Sequence, residues 1–299
     1  MDAQIGLARA LVPLTVALHV RIPGGHPSVA TLGEERMGSA ALVDSQGLLL
    51  TVNYVVMGGR EIVATLSDGR RFPAETVAQD FESGIAVLRI PVRDRPAAIL
   101  GDSRHLASGQ EVFVLASAGP TVRRVGGGVI TDLGPFDAYW EYMLESAIQT
   151  SAFNPGFGGG PLFDIRGRMV GVTSLNLGRV GRFSLAIPIH LFTEHRDDLL
   201  RFGRVRDRVR RAWIGFYPQP AESGIVVAGV VPEAPASRCG IQEGDVILAV
   251  NLREVTSRQE LYQEMWRHAA GEPLRFSILR DGRRTTIEVV GQDRAEFYR

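Results

Sequence analysis

The chain has 299 residues, 45% of them apolar, with Gly 34, Pro 16 and a formal net charge of +0. That length suits two domains, each able to bury a core, and the charge balance argues against a nucleic-acid or membrane-surface binder driven by bulk charge. All 33 basic side chains are arginine, which removes lysine as a base or Schiff-base nucleophile, and the single cysteine, Cys239, excludes an internal disulfide and a thiolate metal cluster.

Residues 5 to 20 are mostly apolar but do not read as a targeting signal. Asp2 replaces a basic start, Arg9 and Pro13 interrupt the run, and the apolar length is too short to span a bilayer. The pattern predicts a short helix from Ala3 to Val12 and a first strand from Thr15 to Ile22. No later segment reads as a transmembrane helix, and a cytoplasmic location is expected for the chain as written. Short strands separated by turn signals follow. They are Gly38 to Val43, Leu48 to Val52, Glu61 to Leu66, Arg71 to Val77, Ile85 to Ile90, Glu111 to Ala116, Val122 to Ile130, Tyr142 to Gln149 and Met169 to Ser174. Many short strands with little helix predict a mainly β barrel or sandwich. A helix from His190 to Phe202 is expected to close this part. The stretch 201 to 211 holds six arginines against Asp207 and reads as a solvated linker.

The loop Asn154-Pro155-Gly156-Phe157-Gly158-Gly159-Gly160-Pro161-Leu162 carries the most information. It resembles the nucleophile loop of chymotrypsin-fold proteases, most closely the HtrA/Deg family, where it runs Asn-Pro-Gly-Asn-Ser-Gly-Gly-Pro-Leu. Gly158 stands at the serine's place and offers no side-chain electron pair. Family-like segments occur in order from about residue 10 to 203, among them Gly38 to Asp44, Leu50 to Val56, Leu66 to Arg70, Ser83 to Leu88, Leu100 to Ser103 and Ile148 to Thr150. Where the family's Asn-His-Val-Val supplies the general base, this chain has Tyr54. Where its Thr-Asp-Ile-Ala-Val-Leu supplies the orienting carboxylate, it has Gly84. Tyrosine, with an ordinary pKa of about 10, is poorly matched to accepting a proton at neutral pH. By resemblance, the backbone N–H groups of Gly156 and Gly158 are the candidate residual oxyanion hole. The three consecutive glycines suggest a loosely specified loop.

The six histidines, His19, His26, His105, His190, His195 and His268, are not placed by the resemblance in the cleft. A metal site from His190, Glu194 and His195 fails on spacing, because five residues do not keep two imidazoles on one helical face. No cofactor and no metal are expected. Cys239 reads as a small buried residue.

Residues 212 to 291 resemble the PDZ module that follows HtrA/Deg proteases. Ala212 to Phe216 matches the carboxylate-binding loop, Gly244 to Asn251 is a recognisable PDZ segment, and a helix is expected from Ser257 to Ala269. Such a module offers loop N–H groups to a terminal carboxylate and a strand edge beside a helix for an extended peptide. Trp213, Ile214, Gly215, Phe216 and Tyr262 are the candidate peptide-binding residues. Leu261 and Met265 are expected in the core, while Tyr262 is left between core and groove.

The expected architecture is therefore a degenerate chymotrypsin-like double β-barrel (1–203), an arginine-rich linker (204–211) and a PDZ domain with a C-terminal tail (212–299). The reading is a pseudoprotease, not an enzyme, that binds peptide or protein C-termini, with an active family relative as a second candidate partner and neither nucleic acid nor membrane. The alternative is an active serine endopeptidase, for which the resemblance would suggest an extracytoplasmic compartment. Family members trimerise through aromatic residues near the amino terminus, and none precedes Tyr54 here, so the oligomeric state is left open.

Overall fold

Thr15–Arg21 and Glu35–Leu42 are buried on both faces over most of their length, with alternation only towards Arg21 and Glu35, and Leu48–Val52 is buried throughout, as befits a strand at the centre of a sheet. The structure, a computed structural model, describes residues 2–178, 183–222 and 224–299, with only the backbone given for 2–5. It is mainly β and separates into two units. The first comprises residues through Pro135 together with Glu145–Arg206. The second comprises Phe136–Leu144 and Asp207–Arg299.

The first unit holds two seven-stranded sheets. One runs Arg71–Pro73, Glu61–Thr65, Thr15–Arg21, Glu35–Leu42, Leu48–Val52, Ile85–Arg89, Glu75–Gln79. The other closes on itself, because Pro161–Asp164 pairs with both Glu111–Ser117 and Arg168–Leu177. Such closure pairs its six longer strands on both sides and leaves only the two-residue strand Ile99–Leu100 at an edge. The sheets are tied by the Arg123 guanidinium, which donates to Thr15 O at 2.8 Å and Thr65 O at 2.9 Å.

The sheet of the second unit runs Phe216–Ala221, Gly224–Val230, Val246–Val250, Pro273–Arg280, Arg283–Val290, which puts Phe216–Ala221 at an edge. Ile225, Ile247, Leu261, Tyr262, Met265 and Phe276 form its core beneath the helix Arg258–Met265. Ser257 caps that helix by accepting from Glu260 N, and it ends at Met265, four residues before the predicted Ala269.

Several expectations change at this level. The single helix His190 to Phe202 is two, His190–Thr193 and Arg196–Phe202, with His195 between them as N-cap. The strand expected to stop at Ile130 continues as Arg123–Ala138, so the hairpin to Tyr142–Thr150 turns much further out and its tip belongs to the second unit. Cys239 is exposed rather than buried, because it ends the short helix Pro235–Arg238 on the outer side. Of the arginine-rich stretch, Arg210 pairs with Asp293 at 3.2 Å and Arg211 lies over the Trp266 ring at 4.9 Å, so part of it is packed rather than solvated.

Candidate functional site

In the first unit, Tyr54 comes from the short helix Asn53–Val56 that follows a central strand of one sheet, and Gly158 precedes the strand Pro161–Asp164 of the other. The Tyr54 hydroxyl donates to Ser174 O at 2.8 Å, and burial pushes its pKa up to about 12. A Cβ added at Gly158 would sit 2.1 Å from the Tyr54 hydroxyl and 2.8 Å from Ser174 O. The phenol therefore fills the space into which a side chain at 158 would project. Gly84 lies at φ +79°, its N–H donates to Asp80 O at 2.8 Å and its carbonyl accepts from Asn53 N at 2.7 Å. It thus supports the backbone that carries Tyr54.

The glycine loop is not loosely specified. Gly159 has φ +96°, and a Cβ there would meet Ser39 O at 2.1 Å; one at Gly160 would meet Leu115 O at 2.2 Å. Glycine is required for this close backbone approach. Ser39 N donates to Gly158 O at 2.7 Å, Ser39 Oγ to Phe157 O at 2.7 Å, and Phe157 N to Ser117 O at 2.9 Å, fastening the loop to both sheets. Of the two candidate oxyanion-hole donors, Gly156 N–H is directed to Asn154 Oδ1 at 3.2 Å. Arg36, which drew no attention in the sequence, is buried and donates to Tyr54 O and Met57 O, both at 2.9 Å; burial lowers its pKa to about 10. It is flanked by Glu35 and Met37, outside the strand expected from Gly38, and no local pattern marks it.

Five of the six histidines have side-chain partners elsewhere, and His195 is the residue between the two short helices. His190 Nδ1 and Ser103 Oγ are 2.7 Å apart, His105 faces Asp102, His26 bonds Ser28, His19 faces Glu35, and His268 lies against Asn251 and Glu272. Among the described residues, no group of three or more His, Cys, Asp or Glu side chains is placed to hold a metal, and no helix is long and apolar enough to cross a membrane.

In the second unit, the amides of Ile214, Gly215 and Phe216 converge as the sequence reading expects, but they are not waiting for an external ligand. They donate to the Glu141 carboxylate at 3.0, 2.6 and 3.0 Å respectively. Burial pushes the Glu141 pKa up to about 7, against the three amide donors and Arg294, which pull it down. Tyr262 belongs to the core, fully buried, and its hydroxyl donates to Ala138 O at 2.6 Å and accepts from Glu141 N at 3.0 Å. Trp213 turns from the groove and packs with Phe297 and Tyr298, at ring separations of 4.7 and 5.5 Å. Glu141 lies more than seventy positions from the loop it fills, and no local pattern marks it.

The trypsin-like peptidase domain matches residues 38–172 and the PDZ domain matches residues 212–290. The chain belongs to the HtrA/Deg family. It is 32% identical over 288 residues to a probable periplasmic serine endoprotease DegP-like of Halomonas elongata, and 33% identical over 291 residues to one of Pseudomonas savastanoi pv. phaseolicola. Each alignment takes in 89% of this chain and 59% of the relative, so the chain spans under two thirds of these relatives' length. Among solved structures, the HtrA-type protease AlgW with decapeptide matches 97% of this chain and 98% of its own at 26% identity and TM-score 0.59. The serine endoprotease from Yersinia pestis matches 97% of each chain, also at 26% and 0.59.

Two expectations are corrected by these relatives. The reading of the chain as no enzyme gives way, because HtrA/Deg relatives are named serine endoproteases and membership points to a protease. The cytoplasmic expectation gives way as well, because those relatives are named periplasmic. An apolar stretch judged by its own charge pattern was a weaker guide than the family.

Proposed function

We propose that this HtrA/Deg protein recognises polypeptide through its PDZ unit, taking segments that end in a free carboxylate, in an extracytoplasmic setting like that named for its relatives. The observation that carries this reading is the convergence of the Ile214, Gly215 and Phe216 amides on a carboxylate group. Three N–H donors around two oxygens suit a carboxylate better than any neutral terminus, because charge-assisted bonds are shorter and stronger. The edge strand Phe216–Ala221 follows directly, which is where an extended peptide would add.

The proposal extends to the peptidase cleft: residues 54, 84 and 158 do not perform Ser-His-Asp chemistry. Gly158 has no nucleophile, Gly84 no carboxylate, and the Tyr54 hydroxyl donates to a backbone carbonyl with its pKa pushed up, so it is a poor base near neutrality. Peptide hydrolysis of the kind named for the relatives would have to draw on other groups.

Titration of the full chain with an array of decapeptides, each in free-acid and amidated form, tests the binding reading. The best free-acid peptide is expected to lose about tenfold or more on amidation, since a charge-assisted bond is worth roughly 1.5 to 3 kcal/mol. Equal affinity for both forms would show that the loop does not read a terminus.

A further inference from the structure

Within the second unit, segment Phe136–Leu144 is bound to the PDZ core as a ligand would be. Its anchor is Glu141, only 3% exposed, whose two carboxylate oxygens take all three amides of the carboxylate loop. The segment is held on both sides of that anchor. Ala138 O accepts from the Tyr262 hydroxyl, the Asp137 carboxylate pairs with the Arg258 guanidinium from the helix Arg258–Met265, and Glu141 O accepts from Arg294 at 3.1 Å. Tyr139 packs edge-on against Tyr217, at a ring separation of 5.9 Å, and Met143 packs against the buried cluster.

The backbone at Glu141 is itself unusual. Its φ of +53° lies in the left-handed region, where a long side chain other than Asn or Asp is uncommon. Such a conformation persists only where its surroundings over-determine it, and here the surroundings are the loop amides, Tyr262 and Arg294. An outlier that aims one carboxylate into a carboxylate loop is the signature of a positioned ligand rather than of a passing loop.

We infer that Glu141 is an internal ligand of the PDZ unit, a side-chain carboxylate that stands in for a peptide terminus and must be displaced before an external C-terminal peptide can enter. The inference rests on the peptide-binding reading above and deepens it by naming what regulates that site. Tethering in the same chain gives Glu141 a standing advantage over a free peptide, because a short connection amounts to an effective concentration of roughly millimolar order. An external peptide then shows its intrinsic affinity reduced by the fraction of molecules in which the loop is open. A loop open about a tenth of the time or less weakens apparent binding about tenfold or more.

The test uses the full chain, as wild type, Glu141→Ala and Glu141→Gln, with two readouts. The first is titration with the free-acid and amidated decapeptide array. The second is hydrogen exchange at the amides of Ile214, Gly215 and Phe216, which needs no peptide. Circular dichroism and a thermal melt confirm that each variant is folded, and Glu141→Gln, which keeps the shape of the side chain, serves if the alanine variant is not. Removing the carboxylate should speed exchange at the three amides by about tenfold or more and tighten free-acid peptide binding by a similar factor, with the amidated peptides unaffected. Unchanged exchange, or wild type binding free-acid peptides as tightly as folded Glu141→Ala, would overturn the internal-ligand inference while leaving peptide recognition standing. Faster exchange in the variant with no binding by any free-acid peptide would uphold the role of Glu141 and overturn the peptide reading instead.

Discussion

Placing a serine at position 158 tests the cleft most directly, because the structure says that the pocket for its side chain is already taken. The Cβ of Gly158→Ser would lie 2.1 Å from the Tyr54 hydroxyl, well inside any ordinary contact. Tyr54 has little freedom to retreat, since moving its ring abandons the 2.8 Å bond to Ser174 O. Overpacking costs about 1–3 kcal/mol, and leaving a buried carbonyl without its donor adds about 1–3 kcal/mol, so the single variant should lose about 2–6 kcal/mol. Tyr54→Ala removes the obstruction but opens a cavity, at roughly 3 kcal/mol or more by analogy with other aromatic truncations. In the double variant the serine occupies space that tyrosine has left, so the two losses should fall short of their sum by about 2 kcal/mol. All three tryptophans, Trp140, Trp213 and Trp266, lie in the second unit, so their fluorescence does not report on this site. Denaturant unfolding is better followed by far-UV circular dichroism, with exchange at Ser39 N and Gly159 N as local probes of the loop. Additive losses in the cycle would refute the claim that Tyr54 and residue 158 compete for one volume. Gly158→Ser alone is further expected to give no gain in peptidase turnover, because an unassisted hydroxyl remains a weak nucleophile.

If residues 54, 84 and 158 take no part in hydrolysis, then any turnover of an unfolded protein substrate should be the same in Gly84→Ala and wild type once both are shown folded; a tenfold fall would place that position in the machinery. Gly159→Ala should destabilise the first unit by about 2 kcal/mol or more, from the +96° φ and the 2.1 Å approach to Ser39 O, as read by the denaturation midpoint. Tyr262→Phe deletes the hydroxyl that joins Ala138 O and Glu141 N and should cost about 1–3 kcal/mol, seen as tryptophan-reported unfolding at lower denaturant. Docking of Glu141 should also depend on pH. Burial raises its pKa from the usual 4.5 to about 7, so the docked state is favoured in the protonated form; its advantage is complete below about 4.5 and declines as pH rises through about 7. The groups facing it are Arg294, Tyr262 and Tyr298, and burial pushes both tyrosine hydroxyls up, away from that window. Apparent affinity for a free-acid peptide should therefore tighten between about pH 5 and pH 8 in wild type and stay level in Glu141→Gln, whereas a parallel rise in both would remove Glu141 as the cause.

The amino-acid sequence by itself determined the order of short strands, the mainly β class and the two-domain HtrA/Deg arrangement, whereas the placing of Tyr54, Gly84 and Gly158 at the family's triad positions is what the resemblance implies. These were legible because they depend on period-2 patterning, turn residues and local motifs, all of which are read within a few residues. The convergence of the Ile214, Gly215 and Phe216 amides was legible for the same reason, since one short loop makes it. What occupies those amides was not. Glu141 reaches them only because the strand Arg123–Ala138 runs on past Ile130 and carries the turn into the second unit, a matter of long-range packing that no window of sequence contains. The same limit applies to Tyr54, whose fit against Gly158 joins two sheets, and to Cys239, whose exposure follows from the side of a short helix that faces out. Hydrogen-bond donors are set by the local backbone, but their acceptors are chosen by the tertiary fold, and in this protein the acceptors decide which sites are open.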